Sequence, residues 1–297
     1  MTVELLVQQL INALSLGSIY ALLALGLAVV YSVLGLLNFA YGEIITIAGY
    51  CMFFLVSGGM DFWYAAIFGV IAAIATSLLI QLVAFRPLRG APANAVIFAS
   101  FAVSIIIKAL ISNVISPRPR GIPVPSWVDG VIQLGSFRLP ILALITIAIA
   151  VVAMVALTWA LHYSTPGLAI RAAAEDFTVT RLMGAPAGRL ILLAFVLSGI
   201  LAGIAGVLWI ARTGSVSPAM GFTPLLQSFI AIVLGGLGNL RGAVIGGFAL
   251  AFIEVALQVL LPTAVVPFTA ALTLVAVVVI LYFRPQGFSK LAQERVA

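Results

Sequence analysis

Side chains able to carry chemistry are few in this sequence, and their spacing excludes more than it allows. A single cysteine, Cys51, rules out an internal disulfide and a cysteine-based metal cluster. A single histidine, His162, closes an apolar run beside Tyr163, where it reads as an interfacial polar tip and not as a metal ligand or a base. A hydrolase needs a serine or cysteine beside a base, and the lone histidine stands at a span end. A metal-dependent lipid transferase needs clustered carboxylates, and only Glu175 and Asp176 adjoin. A P-loop needs Gly-Lys followed by Ser or Thr, yet Lys108 follows three isoleucines and Lys290 sits in FSKL. The chain reads as a non-enzyme that binds no cofactor or metal of its own.

What remains are polar groups set in apolar sequence. Asn38, Tyr41 and Glu43 gather at one glycine-bounded break, 35–42, and Gln227, Ser228 and Asn239 flank a second, 235–242. Polar groups at membrane depth are costly and usually face a bundle interior or a water-filled path. Broken helices there expose N–H and C=O ends that can meet the carboxylate and ammonium of a zwitterion. The same residues could instead cap helices and bond between spans. Glu254, mid-span, is expected to bond a neighbouring helix, and Lys108 to snorkel outward.

The elements that must position these groups are membrane helices. The chain is 64% hydrophobic and 7% charged, with a mean hydropathy of +1.30, which places it in the membrane class. Apolar runs recur at the ~18–20 residues that cross a hydrocarbon core, and they lack the alternation of barrel strands. Spans are expected near 10–34, 43–57, 63–85, 95–115, 140–162, 190–211, 222–234, 243–261 and 265–283. The second and seventh are short, and broken or re-entrant courses suit both. The expected fold is an all-α polytopic membrane protein of 8–9 transmembrane helices in a single domain, 1–297.

The net charge of +6 does not point to nucleic acid, because the basic residues are scattered between spans. With 171–184 inside, alternation puts nine of them inside (Arg86, Arg89, Arg171, Arg181, Arg189, Arg241, Arg284, Lys290, Arg295) and four outside (Arg118, Arg120, Arg138, Arg212). The amino end is then outside and the carboxyl end inside. The proline-rich connection 116–139 lacks helical periodicity and reads as an ordered external loop carrying Trp127 and Asp129. GLLNFAYG at 35–42 and GGLGNLRG at 235–242 suggest an internal repeat. Small-residue runs at 198–206 and 242–249 permit close helix approach.

The most polar stretch is RAAAEDFTVTRLMG, 171–184, with Arg171, Glu175, Asp176 and Arg181. Thr165 as N-cap, Pro166 at the first helical position and Gly184 in a left-handed terminus bound a single helix of some seventeen residues. Ala172, Val179 and Met183, with Leu168 and Leu182, form its apolar face; Phe177 and Arg181 fall opposite. A mere connector could be four residues long, so a helix here suggests that something docks on it.

This stretch resembles the coupling loop of ABC-importer permeases. In the branched-chain amino acid permease family the region runs like RAAAED…LMG…R…LAF, matched here by Arg171–Asp176, Leu182–Gly184, Arg189 and Leu193–Phe195. LLNFAYGE at 36–43 is similar to the family's NFAHGE, departing at Tyr41 where histidine is common, and LGGLGNLRGAVIGG at 234–247 resembles its second-half motif. The likeness runs through nearly the whole chain and is to the H-type (LivH-type) subunit. It implies an inner-membrane permease importing branched-chain or related amino acids. Implied partners are a second permease chain, two cytoplasmic ATPases that use the ATP, and an extracytoplasmic solute-binding protein. Arg171, Glu175, Asp176, Arg181 and Gly184 would then serve ATPase coupling, and Asn38, Tyr41, Glu43, Gln227 and Asn239 the translocation path. The competing reading is an ion-coupled secondary transporter titrating Glu43 or Glu254.

Overall fold

The structure, a computed structural model, describes residues 3–88, 90–128, 130–134, 137–262, 265–284 and 287. Arg89, Asp129, Lys290 and Arg295 of the sequence reading lie outside the described residues. Eleven α-helices follow one another: α1 Val3–Leu34, α2 Tyr41–Ser57, α3 Phe62–Ile80, α4 Ala93–Val114, α5 Ile141–Tyr163, α6 Thr165–Glu175, α7 Phe177–Leu182, α8 Ala187–Thr213, α9 Phe222–Gly235, α10 Leu240–Leu260 and α11 Thr269–Phe283. One π-helical turn, Gln81–Phe85, prolongs α3.

Seven helical stretches are long and apolar enough to cross a membrane, and α2 and α9 are shorter. At about 1.5 Å per residue, the 14-residue α9 reaches only ~21 Å, less than the ~30 Å hydrocarbon core. All nine expected segments are helical among the described residues, but seven of them qualify as membrane spans; the second and seventh, α2 and α9, are short, as the sequence suggests.

Helix α1 is the hub. It is apolar all round and buried along most of its length, with α5, α8, α9 and α10 packed on it. Small residues bring the backbones together: a β-carbon at Gly247 would stand 2.6 Å from the Ala21 nitrogen of α1, and one at Gly203 2.9 Å from Ala73 of α3. Helices α4 and α11 lie at the periphery and turn large apolar side chains outward, among them Phe98, Ile106, Val114, Val278 and Tyr282. Outward apolar faces are what lipid requires.

The described residues of the connection between α4 and α5 are not helical, as expected, but they contain β structure that the apolar pattern does not reveal. Strands β1 Arg120–Gly121 and β4 Ser215–Val216 pair antiparallel, and β2 Val131–Leu134 and β3 Phe137–Pro140 form a hairpin. The β1–β4 pair joins the α4–α5 and α8–α9 loops at one end of the bundle, as the alternating topology demands. Trp127 stacks on Trp63 at the start of α3, ring centroids 5.7 Å apart.

The expected single helix over 166–184 is instead two. Asp176 is extended (φ −152°, ψ 104°), and its Oδ1 accepts from the backbone N–H groups of Thr178 at 2.8 Å and Val179 at 2.9 Å. It is the N-cap of α7, and a carboxylate that caps cannot also continue the preceding helix. The cap of α6 is Ser164, accepting from Gly167 N at 3.0 Å, so Pro166 is the second helical residue. Gly184 has φ +90°, the left-handed terminus the sequence indicates. The buried face is Gly167, Ile170, Ala173 and Thr180, not the Ala172–Val179–Met183 face. Leu168, Val179, Leu182 and Met183 are exposed.

Candidate functional site

Helix α1 ends in a left-handed turn at Gly35 (φ +65°), and the chain doubles back without helical structure. Asn38 Oδ1 accepts from Ala40 N at 3.0 Å, and Phe39 N donates to Ser100 Oγ of α4 at 3.2 Å. Helix α2 then begins at Tyr41, whose hydroxyl donates to Leu23 O at 3.1 Å. Leu23 lies roughly three turns back from the carboxyl end of α1. Helix α2 therefore starts inside the bundle, well away from its rim.

A second helix starts at the same place. Helix α9 begins after Gly221, and a β-carbon on Gly42 or on Gly221 would collide with the carbonyl oxygen of the other. Two helix amino ends thus converge within the apolar body, each carrying partial positive charge. The sequence places the second break at 235–242. The structure instead makes 217–221 the spatial partner of 35–40. Segment 235–242 is a tight turn between α9 and α10, in which Asn239 Oδ1 caps α10 by accepting from Arg241 N at 3.0 Å and Gly242 N at 3.1 Å.

In the first turn of α2, Glu43 is 1% exposed. Its Oε1 accepts from Ser104 Oγ at 2.9 Å and pairs with Lys108 Nζ at 3.4 Å, both on α4. Its Oε2 has no hydrogen-bond partner among the described residues. Breaking such a buried pair by removing one charge is costly, because the other is left uncompensated. Lys108 also stands 5.2 Å from the ring centroid of Phe222, the first residue of α9, within cation–π range.

Beside this pair lies a cavity of about 340 Å³, lined by α1, the 37–39 segment, α4 and α9. Its wall is mostly apolar, with Phe39, Phe101 and Phe229, and its polar residues are Asn38, Ser104 and Lys108. Asn38 is 1% exposed and its Nδ2 has no partner among the described residues.

The structure therefore puts Asn38 in the cavity wall, ties Glu43 to Ser104 and Lys108 of that wall, and bonds the buried Tyr41 to α1. Gln227 is buried on α9 with Oε1 unpartnered among the described residues, outside the cavity lining; its neighbour Ser228 donates to Leu225 O at 2.7 Å. Asn239 stands apart at the other end of α9. Glu254 bonds a neighbouring helix as expected, accepting from Tyr20 Oη at 2.8 Å. Lys108 does not snorkel outward; it turns in to Glu43. The available signal was Ser100, Ser104 and Lys108 at four-residue spacing, one polar stripe on an otherwise apolar helix.

At the other candidate surface, Arg171 is half-buried with Nε unpartnered among the described residues, while Glu175, Asp176, Arg181 and Gly184 are exposed. They share α6, α7 and the turn after them with the exposed Leu182 and Met183.

Crossing helices, two helices that begin inside the bundle, and a cavity beside the amino end of α9 with a lysine in its wall fit a multi-pass membrane transport protein. The sequence comparisons identify which. Residues 9–283 match the family model described as branched-chain amino acid transport system / permease component. LivH, the high-affinity branched-chain amino acid transport system permease protein of Escherichia coli (strain K12), is 34% identical over 83% of this chain and 84% of its own. BraD, the corresponding protein of Pseudomonas aeruginosa, is 32% identical over 83% and 84%. The ribose import permease protein RbsC of E. coli is 28% identical over 48% of this chain and 40% of its own. The chain belongs to the family of permease components of branched-chain amino acid transport systems. It is a transport subunit of the inner membrane.

Proposed function

We propose that this chain imports branched-chain or related amino acids as one permease subunit of an ATP-driven transporter, acting as a single permease domain over 1–297. Its partners in this reading are a second permease chain, two cytoplasmic ATPases that hydrolyse the ATP, and an extracytoplasmic solute-binding protein. The observation that carries the reading is the match to LivH and BraD along more than four-fifths of each chain. Two features support it. The 164–184 segment offers an ATPase a rigid, capped helix pair with exposed charges and exposed Leu182 and Met183. Charge-assisted bonds from Arg171, Glu175 and Arg181 would fix its register. Closure of the ATPases then moves the attached spans as rigid bodies. The described part of the α4–α5 connection, held by β1–β4 and the Trp63–Trp127 stack, offers the binding protein a platform. Translocation passes the convergence of α2 and α9, by Asn38 and Glu43, with Tyr41 and Gln227 in the surrounding wall; Asn239 would act only at the far end of α9.

The test is reconstitution with the neighbouring gene products and measurement of leucine uptake into vesicles. Uptake requires ATP and all subunits in this reading. Uptake driven by a proton or sodium gradient without ATP makes the chain a secondary transporter and overturns it.

A further inference from the structure

The cavity between α4 and α9 has a polarity that the translocation reading does not use. Lys108 supplies a cation with three N–H donors, of which Glu43 Oε1 is the one carboxylate partner among the described residues. Asn38 adds an amide whose Nδ2 is buried and unpartnered, while its Oδ1 is already engaged by Ala40 N. The amino end of α9 opens at Phe222, on the same wall, with no side-chain cap. All three present positive charge or N–H groups. The buried carboxylate nearby, Glu43, lies outside the lining, bonded to Ser104 and Lys108. The opposite wall is aromatic and aliphatic, with Phe39, Phe101 and Phe229. At about 340 Å³ the cavity has the volume of a small-ligand site.

We infer that this cavity is an intramembrane station for an amphiphilic carboxylate, with Lys108 and Asn38 binding the carboxylate and the aromatic wall holding the apolar tail. It rests on the amino acid import proposed above and names the residue that reads one end of the substrate. Glu43 is a positioning residue: it holds the ammonium at the wall and keeps the empty site neutral. A carboxylate arriving at Lys108 shares the ammonium with Glu43: Glu43 Oε1 keeps one of its three N–H donors and the ligand takes the others, so neither buried charge loses its partner.

The experiment uses the assembled importer in lipid nanodiscs without nucleotide, irradiated with L-photoleucine, and maps the labelled residues. Labelling is expected at the cavity wall. L-Leucine and 4-methylpentanoate, which keep the carboxylate, protect; 3-methylbutylamine, which lacks it, does not. Lys108→Met lowers labelling at least tenfold and Lys108→Arg retains it. Because Lys108→Met strands Glu43, the decisive variant is Glu43→Gln/Lys108→Met, which removes both charges together. A purely structural pair recovers wild-type labelling in that double variant; a carboxylate receptor does not. Wild-type labelling in the double variant, protection by the amine, or labelling only outside the cavity overturns the inference. Failure of the wild-type complex to take up leucine with ATP instead sinks the import reading, so the two failures are separable.

Discussion

Gly42 and Gly221 lie backbone against backbone, each occupying the space that a β-carbon on the other would need. This contact lets two helices begin side by side inside the bundle. Either residue changed to alanine forces the α2 and α9 amino ends apart, at about 1–3 kcal/mol for overpacking a filled site. Gly42→Ala and Gly221→Ala should each lower the thermal midpoint of the detergent-solubilised protein and slow uptake. Gly58→Ala, whose added carbon meets nothing nearer than 3.3 Å, should leave both near wild type.

Tyr41 is fixed from two sides. Its hydroxyl donates to Leu23 O at 3.1 Å, and a β-carbon at Gly26 would strike the Tyr41 hydroxyl oxygen. Tyr41→Phe should cost about 0.5–1.5 kcal/mol, one hydrogen bond, and Gly26→Ala more. In Gly26→Ala/Tyr41→Phe the clash is relieved, so the double variant should unfold at a higher temperature than Gly26→Ala alone. Strict additivity in the thermal midpoints would show that the two residues do not interact.

Between α6 and α7, Asp176 caps α7 through two backbone amides. Asp176→Ala should destabilise that turn by about 1 kcal/mol and reduce ATPase stimulation, whereas Asp176→Asn and Asp176→Ser, which also cap, should preserve it. The opposite result, loss in Asp176→Asn and normal coupling in Asp176→Ala, would assign the residue a charge role at the interface instead.

Leu182 and Met183 are 77% and 83% exposed on a segment whose inner face is already packed. Leu182→Asp/Met183→Asp should abolish co-purification of the ATPases while membrane insertion and the yield of the permease stay unchanged. Retained ATPase in the purified complex would remove this surface from the docking site.

Glu254 accepts from Tyr20 at 2.8 Å and joins α10 to α1. Glu254→Gln keeps an acceptor there, so ATP-driven uptake should persist at close to the wild-type rate. A loss of uptake with normal assembly would instead make the ionised carboxylate part of transport.

Much of this was legible in the sequence because lipid leaves the chain few choices. Runs of apolar residues fix α3, α4, α5, α8, α10 and α11, and the two short runs correctly mark α2 and α9. Asn38 and Glu43 stood out as polar groups in apolar sequence, and one lines the cavity while the other pairs with Lys108 of its wall. What escaped depends on three-dimensional partners. Asp176 fits the helical period of its neighbours, and only its side chain's preference for the Thr178 and Val179 amides breaks the helix. Lys108 has the reach to snorkel; Glu43, 65 residues earlier, turns it inward. The partner of the first break is 217–221 and not 235–242, since glycine spacing reports where a chain can bend but not what it bends against. The β1–β4 pair joins two-residue strands, too short for any pattern to mark.

That pairing has a mechanical meaning. Backbone pairing of residues 120–121 with 215–216, and a bond from Ile122 N to Gly214 O at 2.8 Å, stitch the rim beyond α4 to that beyond α8. Displacing either rim draws on the other through these bonds, so this end of the bundle is fastened as one plate and has no seam between the α4 and α8 termini.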